Sequence, residues 1–203
     1  MNKRRQAHVI KSAVQLGALA SAARQEIVDV LSRLGEVPVS ELAETLGRPA
    51  DALYYHLRHL VRSGLVVQAE PRSTKGRQEV RFRTVAPELQ LQYPESNAKE
   101  ARHVSAIVSS MMRLGIRDFG KALRSSGVQL SGPGRELWAL RATGWMNSKE
   151  VQDVNEKIQD LRDAVWKPKG AGRLYGITIL LTPLDHRGRK SQRAPNKKKR
   201  RTR

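Results

Sequence analysis

One predicted helix carries polar and aromatic side chains on a single face, opposite a stripe of leucines. Over residues 50–63 the apolar side chains recur at helical spacing, which marks the face that packs on a domain: Leu53, Leu57, Leu60 and Val61. The opposite face holds six side chains that can hydrogen-bond or stack: Asp51, Tyr54, Tyr55, Arg58, His59 and Arg62. Such groups can contact base edges and phosphates. The pattern therefore predicts a nucleic-acid recognition helix.

Two shorter helices are predicted to position this one. A first helix over residues 21–34 has apolar residues at helical spacing and ends at Gly35. A short extended piece follows, in which Pro38 fits only an edge strand or a strand start. Ser40 is then the expected N-cap of a second helix, and a turn at residues 47–49 separates it from the third. This order predicts a helix-turn-helix, whose last helix lies in the DNA major groove.

A basic hairpin is predicted after the recognition helix. Residues 65–67 begin a strand, and residues 80–84 read as its partner. The connection over residues 70–79 is expected to be a flexible loop, and it carries three cations around Gly76: Arg72, Lys75 and Arg77. A hairpin of this kind is the wing of a winged helix. Its expected targets are DNA phosphates or the minor groove.

Residues 18–85 resemble the arsenical-repressor-like (ArsR-type) winged-helix regulators of bacteria. The resemblance rests on ASAARQEIVDVL, SELAETLG, LYYHLRHLVRSGLV and the hairpin that follows, and it covers about a third of the chain. It implies a dimeric, operator-binding transcription regulator, often a repressor. Pro38 and Ser40 stand where metal-sensing members carry two cysteines, so no metal site is expected. Ala50 stands where many members have glutamine, which shifts base reading to Asp51, Tyr54, Tyr55 and Arg58.

The net charge of +19 is concentrated outside the predicted helices of the DNA-binding module. Residues 186–203 contain ten Lys or Arg and no acidic residue, whereas residues 18–67 contain five basic and six acidic residues. The N-terminal segment and the wing carry part of the remaining positive charge. The tail is expected to be disordered and to attract phosphates without sequence preference.

Several classes of protein and cofactor are not expected from the sequence. The chain has no cysteine, which excludes disulfides and thiolate metal centres. No apolar run approaches the roughly 18 residues of a membrane span. No P-loop, GxSxG or HExxH motif is present, so neither catalysis nor a cofactor is predicted. His56 and His59 are expected to have a structural role or to contact DNA. The expected location of the protein is the cytoplasm, at the nucleoid.

The predicted architecture is mainly α with a small β wing. It comprises an N-terminal helix (1–19), a winged helix-turn-helix DNA-binding domain (20–86), a linker (87–96), a helical C-terminal dimerisation or effector region (97–184) and a disordered basic tail (185–203).

The C-terminal region is predicted to contain two helices and one strand. The helices cover residues 97–125 and 148–166, each with a capping-box pattern at its start. The second has apolar residues at heptad spacing, and packing on the first helix is favoured over pairing with a partner subunit. A buried strand is expected at residues 174–182, with its pairing partner left open. The three tryptophans are expected to anchor a small core in preference to an effector pocket.

The function that best fits these features is sequence-specific DNA binding by a homodimeric transcriptional regulator, with repression favoured. The operator and any small-molecule effector are left open. The alternative is a nucleoid-associated or RNA-binding winged-helix protein without a specific operator, which the basic tail favours. A third hypothesis, a winged helix that binds protein, fits the basic wing less well.

Overall fold

The computed structural model describes residues 7–74, 77–93, 98–166, 170 and 172–184. Along the chain these form β1 (Ala7–Ile10), α1 (Ala13–Leu19), α2 (Ala22–Leu34), β2 (Val37–Pro38), α3 (Val39–Leu46), α4 (Ala50–Arg62), β3 (Val66–Thr74), β4 (Arg77–Thr84), β5 (Glu88–Leu91), α5 (Ala98–Leu123) and α6 (Ser148–Val165). The fold is mainly helical, with a winged helix-turn-helix and a helical C-terminal region, as predicted.

The helix-turn-helix is formed by α3 and α4, which follow α2 and β2. Gly47 ends α3 in the left-handed region at φ 61°, a conformation that favours glycine, and Pro49 precedes the first residue of α4. The expected N-cap at Ser40 was wrong, because α3 begins at Val39 with Pro38 as its N-cap. Pro38 has the extended conformation of an N-cap (φ −70°, ψ 160°) and lies in β2, so the helix starts two residues earlier.

The wing is the hairpin of an antiparallel sheet with strand order β2–β4–β3. Val37 is paired with Phe82, and Val66 with Thr84. The strands are longer than predicted, so most of the expected loop at residues 70–79 is ladder. The register shifts between Ala69 and Arg72, at the position of Pro71, which has no N–H to donate. The shift lets pairing resume beyond the proline.

In the described part of the predicted N-terminal helix, the first element is a strand. β1 covers Ala7–Ile10, and α1 begins only after Ser12, whose hydroxyl accepts a hydrogen bond from the Gln15 N–H at 3.2 Å. β1 pairs in parallel with β5, so the predicted linker at residues 87–96 is also partly a strand. The β-branched residues Val9 and Ile10 favour a strand once a partner is available, and that partner lies far along the chain.

A single apolar core joins the winged helix to both flanking regions. Leucines and isoleucines of α2 and α4 form its centre, and α1 contributes Leu16. Ile107 of α5 belongs to the same cluster. The buried side chain of Gln25 in α2 also donates a hydrogen bond to the Ile107 carbonyl at 2.9 Å. The first part of α5 is therefore attached to the winged-helix fold.

The end of the C-terminal region differs from the predictions. α6 has the expected capping box at Asn147 and Glu150, but no residue of this fully described helix is buried. The favoured packing of its heptad seam within the chain was therefore wrong.

The buried strand predicted at residues 174–182 was wrong, since these residues form no strand and are exposed. A strand needs a paired neighbour to satisfy its backbone groups. Trp138 and Trp145 are exposed as well, and so they do not anchor a core. The predicted tail at 185–203 lies outside the described residues. No helix in the described part of the chain is long and apolar enough to cross a membrane.

Candidate nucleic-acid interface

The two faces of α4 have opposite character. The first consists of Leu53, Leu57 and Leu60, each completely buried in the core. The second consists of the six side chains predicted to contact nucleic acid. His59 is half-buried, and the other five are exposed: Asp51, Tyr54, Tyr55, Arg58 and Arg62. The buried leucines fix the rotation of the helix, so the polar face is held outward on a rigid element.

The two tyrosines of α4 differ in how they are held. Tyr54 is 41% exposed and Tyr55 is 56% exposed. The Tyr55 ring lies edge-on to the His59 ring, with centroids 4.7 Å apart, and edge-on to His56 at 5.3 Å. These contacts orient Tyr55 before any ligand binds, which lowers the entropy lost on binding.

A shallow cleft of about 290 Å³ lies between α4 and the wing sheet. Tyr54, Arg58 and Arg62 line it from the helix, and Gln68 and Phe82 line it from β3 and β4. Gln68 was missed by sequence reasoning. Its signal is an exposed polar residue that directly follows the apolar run at 65–67, on the strand that leads into the wing. The cleft is thus lined by one amide side chain and two arginines.

His56 of α4 lies in positively charged surroundings. Burial lowers the pKa of His56, since the charged form is disfavoured out of water. Arg24 and Arg48 lower this pKa further, followed by His59. The surroundings thus favour neutral His56 and already carry positive charge. Among the residues that the structure describes, no group of three histidine, aspartate or glutamate side chains could hold a metal ion.

The predicted cations of the wing are only partly described. Arg72 lies in β3 opposite Glu79, and Arg77 lies in β4 opposite Thr74. Lys75 lies outside the described residues. Further down β4, the Arg81 guanidinium donates to the Glu36 carbonyl at 2.7 Å. Arg81 is therefore engaged by the protein itself.

An ion-pair cluster that sequence reasoning missed links the helix-turn-helix to α5. Glu26 of α2 binds Arg48, which lies in the turn before α4, and also binds Arg117 of α5. The pKa of Arg117 lies above its usual range, first because its side chain donates to Glu26 and also because it donates to Asp118. These partners are far apart in sequence, so no local pattern could have revealed them.

Comparison with known proteins adds a domain assignment. Residues 19–69 match the family model of a helix-turn-helix domain. The YusO protein from Bacillus subtilis is 13% identical, with 70% of this chain and 74% of that chain covered, at a TM-score of 0.29. Sco5413, a MarR family transcriptional regulator from Streptomyces coelicolor, is 19% identical, with 73% and 83% covered, at a TM-score of 0.28. No curated protein matches the chain.

The matched segment contains the whole of α2, α3 and α4. This match and the winged-helix fold together support a DNA-binding transcriptional regulator as the class of protein. These findings do not test the more specific resemblance to ArsR-type regulators, which stays a prediction.

Proposed function

We propose that this chain is a sequence-specific transcriptional repressor that inserts α4 into the major groove of an operator. The observation that carries the proposal is the outward face of α4, where hydrogen-bonding and aromatic side chains are exposed above a fully buried leucine stripe. The hydrogen-bonding side chains on this face favour sequence reading, since the base edges in the major groove present a distinct pattern of donors and acceptors for each base pair. The proposed site of action is the nucleoid.

Each side chain is assigned a role from its chemistry. Arg58, Tyr54 and Tyr55 are proposed to contact bases, because an arginine can donate two hydrogen bonds to guanine and a tyrosine can donate or accept one. Asp51 in the first turn can accept from a cytosine amino group. His59 and Arg62, in the last turn of α4, complete the contacts on this face. The wing residues Arg72, Lys75 and Arg77 are proposed to bind phosphates.

Replacing Arg58 by alanine is expected to weaken operator binding by about 1–3 kcal/mol and to relax the preference at one base position. Lys75→Ala should weaken binding to all sequences about equally. The operator is first found by selecting bound duplexes from a random pool, and affinities for selected and scrambled duplexes are then measured by fluorescence anisotropy. Arg113→Ala is the matched control, because Arg113 is an exposed arginine of α5 that donates to Ser109 of its own helix. An equal loss on both duplexes for Arg58→Ala would contradict the base-reading role.

The second candidate function is sequence-independent binding of DNA or RNA. The net charge of +19 and the ten basic residues of the tail favour it. The selection described above separates the two functions, because a sequence-independent binder enriches no motif from the pool.

We also propose that the chain acts as a homodimer through its C-terminal helices. Exposed apolar residues on α5 and α6 support this: Met112, Ile116, Leu123, Leu161 and Val165. Two copies would present two α4 helices to half-sites about 34–36 Å apart. Light scattering at micromolar concentration is expected to give twice the monomer mass of 22.8 kDa. Ile116→Glu should shift the mass toward the monomer, and a monomer for the unaltered chain would refute the dimer.

A further inference from the structure

The carboxylate of Glu26 is shared by two arginines, one from the turn before α4 and one from α5. Arg117 donates to it through both terminal nitrogens, at 2.6 Å to Oε1 and 3.2 Å to Oε2. Arg48 donates to the same Oε2. The Glu26 side chain is only 16% exposed, so solvent screens these charges less than at an open surface. One anion thus binds two cations at once, and they come from two different parts of the fold.

Arg48 lies in the turn that determines where α4 begins. Its backbone N–H donates to the Ala43 carbonyl at 3.0 Å, and the Gly47 N–H donates to the Glu44 carbonyl at 3.2 Å. Pro49 follows with its φ fixed by the ring, and α4 starts at the next residue. The turn has little freedom of its own, so a displacement of Arg48 is passed to the first turn of α4.

Arg117 lies on the part of α5 that faces α2. The neighbouring α2 residues Gln25 and Glu26 hold α5 at Ile107 and Arg117, two points about 15 Å apart along the helix axis. Asp118 competes for the same guanidinium, at 2.6 Å from its Nη2. Ile116, the residue before Arg117, is 68% exposed and belongs to the proposed dimer face. Arg117 therefore lies beside the surface that a second copy would contact.

We propose that Glu26 is a positioning residue that couples α5 to the recognition helix α4 through Arg117 and Arg48. A shift or rotation of α5 moves Arg117, and the shared carboxylate transfers the movement to the turn at Arg48. Contacts on α5 thereby change the placement of the base-contacting face of α4. The coupling is a property of the protein alone, whereas its effect on DNA rests on the function proposed above.

Amide hydrogen exchange on the full chain without DNA tests the coupling. Arg117→Met, Glu26→Gln and Arg48→Met are each expected to speed exchange at residues 52–54, where the amides of α4 first have carbonyl acceptors. The expected change is about threefold or more, the lower end of coupling within one ion-pair network. The double variant Glu26→Gln/Arg117→Met should add little to Glu26→Gln alone. Arg117→Lys, which keeps a cation beside Glu26, should restore much of the protection. Arg113→Met, which removes the same charge from the same helix, should leave exchange at residues 52–54 unchanged.

Two results would overturn the proposal. The first is an Arg117→Met variant whose exchange changes only within α5, since Arg117 would then stabilise its own helix alone. The second is equal acceleration at residues 52–54 and at the core residue Leu31, since this would indicate general destabilisation.

Binding to a short random-sequence duplex provides the second readout. Arg117→Met is expected to change this affinity by about threefold or more, whereas Arg113→Met should not. If the unaltered chain binds no DNA, the proposed function fails, and the exchange result still decides whether Glu26 couples the two helices. If DNA binds but the Arg117 and Arg113 variants have equal affinity, the coupling does not reach the DNA-binding face, and the proposal is overturned.

Discussion

Replacing Leu60 by alanine is expected to lower the free energy of unfolding by about 2–5 kcal/mol. Leu60 is completely buried on the inner stripe of α4 and belongs to the core that also contains Leu31 and Ile107. The loss combines the transfer of the removed carbons with the cavity that they leave. Domains are stable by only about 5–15 kcal/mol, so much of the total would be lost.

Urea denaturation followed by circular dichroism measures this change. Arg58→Ala is the control, because Arg58 lies on the exposed face of the same helix and its replacement should alter stability by no more than about 0.5 kcal/mol. The two variants should thus separate the faces of α4, one losing stability and the other losing operator affinity. A change below about 1 kcal/mol for Leu60→Ala would contradict the buried position of this stripe.

Removing residues 186–203 is expected to flatten the salt dependence of DNA binding. The segment contains ten basic residues, no acidic residue and no Phe, Tyr or Trp, so it can neutralise phosphates, and His186 is its one ring that could stack on a base. Each phosphate contact adds about 0.9 to the slope of log affinity against log salt. If about half of the charges make such contacts, affinity would change roughly 500-fold less between 50 and 200 mM salt.

Fluorescence anisotropy on operator and scrambled duplexes, at several salt concentrations, tests this expectation. The truncated chain should bind both duplexes more weakly, with a ratio of specific to non-specific affinity that is unchanged or higher. A variant with the same eighteen residues in shuffled order is the control, and it should behave like the unaltered chain. A truncated chain that keeps its affinity for scrambled DNA but loses the operator would mean that the tail reads a groove.

The helix-turn-helix could be predicted because its signals are local. The leucine spacing of α4 fixes which face is buried, and the same spacing determines that Tyr54, Tyr55 and Arg58 face outward. Gly35 and Gly47 stop their helices at the expected positions. Each of these features depends on residues within one or two helical turns, where periodicity and capping preferences act.

The features that the sequence did not predict depend on distant partners. Val9 and Ile10 fit a helix or a strand by their own preferences, and the presence of β5 decides between the two. The Glu26 cluster joins α2 to the turn at Arg48 and to α5, so its three members share no sequence pattern. The heptad seam of α6 was detected correctly as a pattern, but a pattern does not identify what covers it.

The parallel pairing of β1 with β5 has a consequence for biosynthesis. Ala7 is paired with Glu88, so the loop that this contact closes contains roughly 80 residues, and its closure costs more entropy than any short hairpin. On the ribosome, β1 emerges first and has no partner until β5 has also left the exit tunnel. At typical synthesis rates this takes on the order of ten seconds. During that interval α2, α3 and α4 can form, while residues 7–10 have no strand partner and expose backbone groups and apolar side chains that a chaperone could cover.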